Sequence, residues 1–214
     1  MSFRVNIGCG RTPTDGWINM DNSPAIKLAN SPVRYKIAKI LKLLSKAQRE
    51  NIEWNKENTI TYADATKRLP FADNSVECIY TSHMVEHLSR EGVLQFLSEV
   101  LRVLEHDGIV RIAVPDLRLA VEDYLTSQDA DDFMSRILVQ ARPINTFRQK
   151  LGLLLSGYRH HQWMYDGKSL SKLLDERGFR NVQVCADGFT LISNPEGLDL
   201  YERSGQSVYV EGVK

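Results

Sequence analysis

Phe3-Arg4-Val5-Asn6-Ile7-Gly8-Cys9-Gly10 joins five residues of strand character to two glycines set around one residue. Glycine has no Cβ, so a backbone built this way can turn sharply at a strand end and come close to a ligand; a plain tight turn is the alternative. Outward from this stretch, Trp17–Met20, Thr59–Ala63, Val76–Thr81 and Ile109–Val114 are rich in Val, Ile and aromatics and predict further strands. Helical spacing predicts a helix over Arg90–Leu104, through Val93, Leu94, Leu97, Leu101 and Leu104, with Ser89 as N-cap and His106-Asp107-Gly108 as the stop. It predicts another over Arg34–Glu50, with Ile37, Ile40, Leu41 and Leu44 on the core side and Lys36, Lys39, Lys42, Lys46 and Arg49 opposite. Residues 116–157 read as helical and irregular, and Ser169–Glu176 as a helix stopped by Gly178. Val182–Ala186 and Ser207–Val213 are the last strands, paired antiparallel because no amphipathic helix lies between them to serve as a crossover. Alternating strands and helices predict an α/β class, with a doubly wound, mostly parallel seven-stranded sheet whose last strand runs antiparallel.

The 214 residues, 43% hydrophobic and 25% charged, suffice for one core, so residues 1–214 are expected to form a single domain. Lys plus Arg number 27 and Asp plus Glu 27, which leaves no overall field to attract nucleic acid, and no nucleic-acid-reading motif is present. Cys9, Cys78 and Cys185 are odd in number and far apart, with no CxxC and no His at metal-ligand spacing. A reducing compartment and no metal are the expectation. No apolar run reaches 18 residues and no secretory h-region precedes the first strand, so a cytoplasmic location is expected.

An open α/β sheet binds its ligand beyond the carboxyl ends of its strands. Asp21 follows the second strand and Asp64 the third, on the same edge as the glycine turn. One carboxylate there can accept both ribose hydroxyls and another an adenine amino group; turn or cap roles are the alternative for each. The ordered set Val5-Asn6-Ile7-Gly8-Cys9-Gly10, Gly16-Trp17-Ile18-Asn19-Met20-Asp21, Ala63-Asp64-Ala65, Ser82-His83-Met84-Val85-Glu86-His87-Leu88 and Val114-Pro115-Asp116 resembles the class I S-adenosylmethionine-dependent methyltransferases. The resemblance implies a Rossmann-like methyltransferase fold and S-adenosylmethionine as cofactor. It places Asn6, Gly8, Cys9 and Gly10 beside the methionine and ribose, Asp21 on the ribose, Asp64 with Ala65 at the adenine, and Ser82 with His83 at the methionine end.

Two departures refine it. Asn6 replaces the acid common at its position, so it brings no charge to the cofactor ammonium. Only ten residues separate Gly10 from Asp21, too few for a full helix and a strand, so the first helix is truncated. In this the chain resembles a shortened subgroup carrying Gly-Trp-Ile-Asn-x-Asp, which implies a saccharide or other small-molecule acceptor. A dinucleotide fingerprint would need a third glycine, which is absent.

The sulfonium methyl is already activated, so the protein has mainly to align the acceptor, and a base helps an alcohol. His161 and His160, in Tyr158-Arg159-His160-His161-Gln162-Trp163, and His83 at the strand edge are the candidate bases. His87, beside Glu86, has a structural role as its alternative, and His106 reads as solvated. A mostly helical insertion at about 117–168 is expected to cover the acceptor site, and Arg136, Arg142, Arg148, Lys150 and Arg159 make it basic. Weak contact with an anionic membrane through residues 34–50 is an alternative to a plainly solvated cationic face. A non-catalytic S-adenosylmethionine-binding or scaffold protein is the alternative to an enzyme.

Overall fold

The computed structural model describes residues 2–138 and 160–214. Strands β1 (Phe3–Ile7), β2 (Ile18–Asp21), β3 (Ile60–Tyr62), β4 (Val76–Ser82), β5 (Leu104–Pro115), β6 (Arg180–Cys185) and β7 (Ser207–Val213) form one sheet in the order β3-β2-β1-β4-β5-β7-β6. The first five pair in parallel, and β7 lies antiparallel between β5 and β6. This is the expected doubly wound sheet with the last strand reversed. Val5, Ile79, Val110 and Ile112 are wholly buried, as continuous apolar runs covered on both faces must be. Helix α4 (Arg90–Val103) buries Val93, Phe96, Leu97, Val100 and Val103, and Ser89 caps it by accepting from the Gly92 amide. Helix α7 (Gly167–Arg177) buries Leu170, Leu173 and Leu174 and ends at Gly178 in the left-handed region.

No helix separates β1 from β2. Side chains hold the shortened connection instead: Asn6 Nδ2 donates to Thr14 Oγ1 at 2.9 Å, the Thr14 amide to Asn19 Oδ1 at 2.8 Å, and Asn19 Nδ2 to the Thr14 and Trp17 carbonyls. The far end of the chain completes it, for Trp17 Nε1 donates to the Glu196 carbonyl and Arg4 Nη1 to that of Asn194. In the strands opposite, Arg111 of β5 faces Glu211 of β7, both fully buried, with Nη1 and Oε1 2.7 Å apart.

The single helix expected over Arg34–Glu50 is corrected by the structure. Between β2 and β3 the chain forms α1 (Pro24–Ala29), α2 (Pro32–Ile40) and α3 (Lys46–Glu57). The break comes before Ser45, whose hydroxyl accepts from the Gln48 amide while Gln48 Oε1 accepts from the Ser45 amide, a capping box that starts a new helix. The orientation of α2 is also corrected: it packs through Tyr35 and Ala38, while Ile37, Ile40 and Leu41 face solvent and only Leu44 of the expected apolar set is buried. Beyond β5 come α5 (Leu117–Ser127) and α6 (Ala130–Ile137); of the insertion expected at about 117–168, residues 139–159, with Arg142, Arg148, Lys150, Tyr158 and Arg159, lie outside the described residues.

Candidate active site

Because β1 to β4 are parallel, Ile7, Asp21, Tyr62 and Ser82 end on one edge, and a cavity of about 950 Å³ opens there. Gly8, Gly10, Asp21, Ala63 and Ala65 line one part, α1 and α3 roof it through Leu28, Gln48 and Asn51, and His83, Met84, His87, Gln162 and Arg203 line the other part. Gly8 has φ +77°, and a Cβ there would sit 2.5 Å from Met84 Cγ, so a side chain would both strain the turn and push Met84. Asp21 accepts from the Gly10 amide through Oδ2 at 3.1 Å and from the Ser23 amide through Oδ1 at 2.7 Å, which locks the carboxylate against the turn. Burial raises its pKa and the two amides oppose that shift. Each oxygen keeps a lone pair for a ligand hydroxyl.

The other residues implied by the resemblance are distributed around this turn. Ala65 is on the cavity wall, whereas Asp64 is not among the lining residues and its Oδ1 accepts from the Thr66 amide and hydroxyl at 2.9 and 2.7 Å. Asn6 is buried and turned toward Thr12 and Thr14. Cys9 packs under α1 with Ile26 and Ile60. Ser82 Oγ is buried with no hydrogen-bond partner among the described residues.

Burial pushes the thiols of Cys9 and Cys78 up to about 12 and that of Cys185 to about 11. At pH 8 the native protein is therefore expected to react with an aromatic disulfide reagent only as fast as it unfolds, while all three thiols titrate at once in denaturant. Rapid labelling of Cys9 in folded protein, followed by absorbance and peptide mapping, would contradict this burial.

At the far end of the cavity the histidines gather around one carboxylate. His83 takes φ +49°, its Nε2 lies 2.9 Å from Ser207 Oγ, and Arg203 Nη1 donates to its Nδ1 at 3.2 Å. Glu86, in the single 3-10 turn Val85–His87, is buried, with Oε1 3.4 Å from His83 Nδ1 and 3.9 Å from Nε2 of both His87 and His161. His160 contributes its carbonyl to His87 Nδ1 at 3.0 Å. His161 is buried behind the cavity wall, and that burial holds its imidazole below the usual value. Sequence reasoning missed α1, α3, Gln162 and Arg203. The Ser45-x-x-Gln48 spacing was a usable signal for α3; nothing local marks Arg203.

The profile of a family described as a methyltransferase domain matches residues 6–112, half of the chain, which includes the glycine turn, Asp21 and the Ser82–His87 segment. The chain belongs to this methyltransferase family. It is an S-adenosylmethionine-dependent methyltransferase, as the ordered motifs imply. Among solved structures, the methyltransferase resembles a SAM-dependent methyltransferase from Archaeoglobus fulgidus at 16% identity and TM-score 0.51, over 100% of this chain and 86% of that one. A possible histamine N-methyltransferase from Thermotoga maritima matches at 14% identity and TM-score 0.50, over 100% and 83% of the two chains. A SAM-dependent methyltransferase from Methanosarcina mazei matches at 15% identity and TM-score 0.50, over 99% and 91%. At such identities the likeness is one of fold. No curated protein matches this methyltransferase significantly. No helix among the described residues is long and apolar enough to cross a membrane.

Proposed function

We propose that this methyltransferase lays S-adenosylmethionine along the tips of β1, β2 and β4 and methylates a hydroxyl of a saccharide or other small molecule held near His83, His87, Gln162 and Arg203. The observation that carries this reading is one continuous cavity with the Asp21 carboxylate in one part and the imidazoles in the other. Asp21 accepts the ribose hydroxyls, Gly8 and Gly10 let the backbone approach, and Ala65 flanks the adenine, with Asp64 in the row behind it. Asn6 and Cys9 act from beneath, shaping the turn. Ser82 and His83 stand at the methionine end. The cofactor supplies an activated methyl group; the chain's part is to align the acceptor and exclude water, worth about 7–11 kcal/mol, with a base adding roughly 10²- to 10⁴-fold. Trp17 and Asn19, which hold the β1–β2 connection, support placement in the shortened Gly-Trp-Ile-Asn-x-Asp subgroup and with it the saccharide acceptor.

Radiolabelled methyl transfer across a panel of saccharides, hydroxylated small molecules and amines tests the reading. Turnover is expected with hydroxyl acceptors. Tight cofactor binding without turnover on any of them would favour the scaffold alternative.

One observation favours a membrane-surface acceptor. On α2, Val33 and Ile40 are 70% and 68% exposed and share a stripe with Ile37 and Leu41, flanked by Arg34 and Lys36. Apolar residues between cations suit an anionic bilayer surface. The methyltransferase is expected to sediment with phosphatidylserine vesicles in a salt-sensitive way, and Ile37→Glu with Ile40→Glu to abolish this. Equal sedimentation with neutral vesicles, or none with either, would refute it.

A further inference from the structure

We propose that Glu86, His87 and His161 form a binding site for one divalent transition-metal cation at the acceptor end of the cavity. This goes beyond the reading of the cofactor and acceptor: cation binding stands apart from that reading, while its role toward an acceptor rests on it. Glu86 is 1% exposed, and neither Oε1 nor Oε2 has a hydrogen-bond partner among the described residues. A buried carboxylate left so is costly, and nature meets the cost with a paired charge or a metal. One carboxylate oxygen of Glu86 and one ring nitrogen each of His87 and His161 all lie within 4.8 Å of one another. The two imidazole nitrogens stand 3.9 Å from Glu86 Oε1, too far for a hydrogen bond. Around a tetrahedral cation with ligand distances of about 2.0–2.1 Å, neighbouring donors are roughly 3.3 Å apart, so each Glu86–imidazole distance must shorten by about half an ångström and the imidazole–imidazole distance by up to about 1.5 Å.

The surroundings of the ligands match what metal-binding histidines need. His87 Nδ1 faces the His160 carbonyl at 3.0 Å, so that nitrogen carries the proton and Nε2 offers a lone pair toward Glu86. His161 Nδ1 lies 3.2 Å from Met164 Sδ, which likewise turns Nε2 to the carboxylate. The two ligand segments are clamped together: the Gln162 and Trp163 amides donate to the Glu86 carbonyl at 2.7 and 3.2 Å, and Gln162 Nε2 donates to the His87 carbonyl at 2.7 Å. His83 is left out, because Arg203 and Ser207 occupy its two ring nitrogens.

Two imidazoles and one carboxylate make a three-ligand set that leaves a fourth position open, the pattern of a catalytic rather than a structural site. His87 lines the cavity while Glu86 and His161 do not, so the open position faces the cavity from His87's side. A cation there would bind and polarise an acceptor oxygen. His87 and His161 are 74 positions apart, since 161 minus 87 is 74, which is why no local spacing announces the set.

The test is cobalt(II) titration of the full chain after chelator dialysis, read by visible absorption, with zinc content measured after reconstitution and gel filtration. One cation per chain is expected. Glu86→Gln and His161→Asn should each weaken cobalt binding at least about 10-fold, whereas His106→Asn, at an exposed imidazole, should not. Circular dichroism of each variant and S-adenosylmethionine titration of the metal-free chain separate misfolding and failure of the cofactor reading from failure of this one. No stoichiometric cation on the wild-type chain, or equal binding by folded Glu86→Gln and His161→Asn, would overturn the site.

Discussion

Asp21→Ala is expected to weaken S-adenosylmethionine binding by roughly 10²- to 10⁴-fold, measured by calorimetric titration. Two hydrogen bonds from ribose hydroxyls to a carboxylate are worth about 1.5–3 kcal/mol each, or about 3–6 kcal/mol together, and about 1.4 kcal/mol corresponds to tenfold in Kd. The substitution also removes the acceptor for the Gly10 and Ser23 amides, so the turn that should face the cofactor loses its brace. Asp21→Asn separates the two effects. An amide oxygen can still take one of those bonds, but its NH2 group opposes a donor, so an intermediate loss is expected with the fold intact by circular dichroism. An unchanged Kd in a folded Asp21→Ala protein would move the cofactor elsewhere.

The largest effect on stability is expected from Glu211→Ala. Glu211 balances Arg111 and also accepts from Thr190 Oγ1 at 2.6 Å and the Leu191 amide at 2.7 Å. Arg111 stacks over Tyr209 and donates to the Phe189 carbonyl, yet its Nε and Nη2 have no hydrogen-bond partner among the described residues. Removing one partner of a buried pair costs about 3–5 kcal/mol, because the other charge stays behind. For a chain of this length each kcal/mol lowers Tm by about 2–4 °C, so the drop is roughly 6–20 °C. The double variant Arg111→Met, Glu211→Leu removes both charges and should lose much less. Scanning calorimetry decides; a drop in Glu211→Ala under about 2 °C would show that the pair is not the anchor of the β5–β7 seam.

The sheet was legible because its strands are nearly continuous apolar runs whose only stable place is between two layers. The truncated first helix was legible from chain length alone. The orientation of α2 was not. Val33, Ile37, Ile40 and Leu41 repeat at helical spacing whether their stripe faces core or solvent, and Tyr35 and Ala38 took the inward side. Asn6 reads as a cofactor contact by position, but the loop without a helix needed its amide, and it turned inward. Glu86 was hidden for a different reason. Its place in the proposed metal site comes from His161, far along the sequence, and only the tertiary fold puts the two together.

The connection between β1 and β2 has a consequence for the order of synthesis. Its braces, Asn194 and Glu196, lie 190 and 179 positions after the residues they hold, and the strand β7 that fits between β5 and β6 follows them. The amino-terminal strands therefore gain these braces only once residues 194–213 have been made, so this part of the fold depends on contacts of long sequence separation.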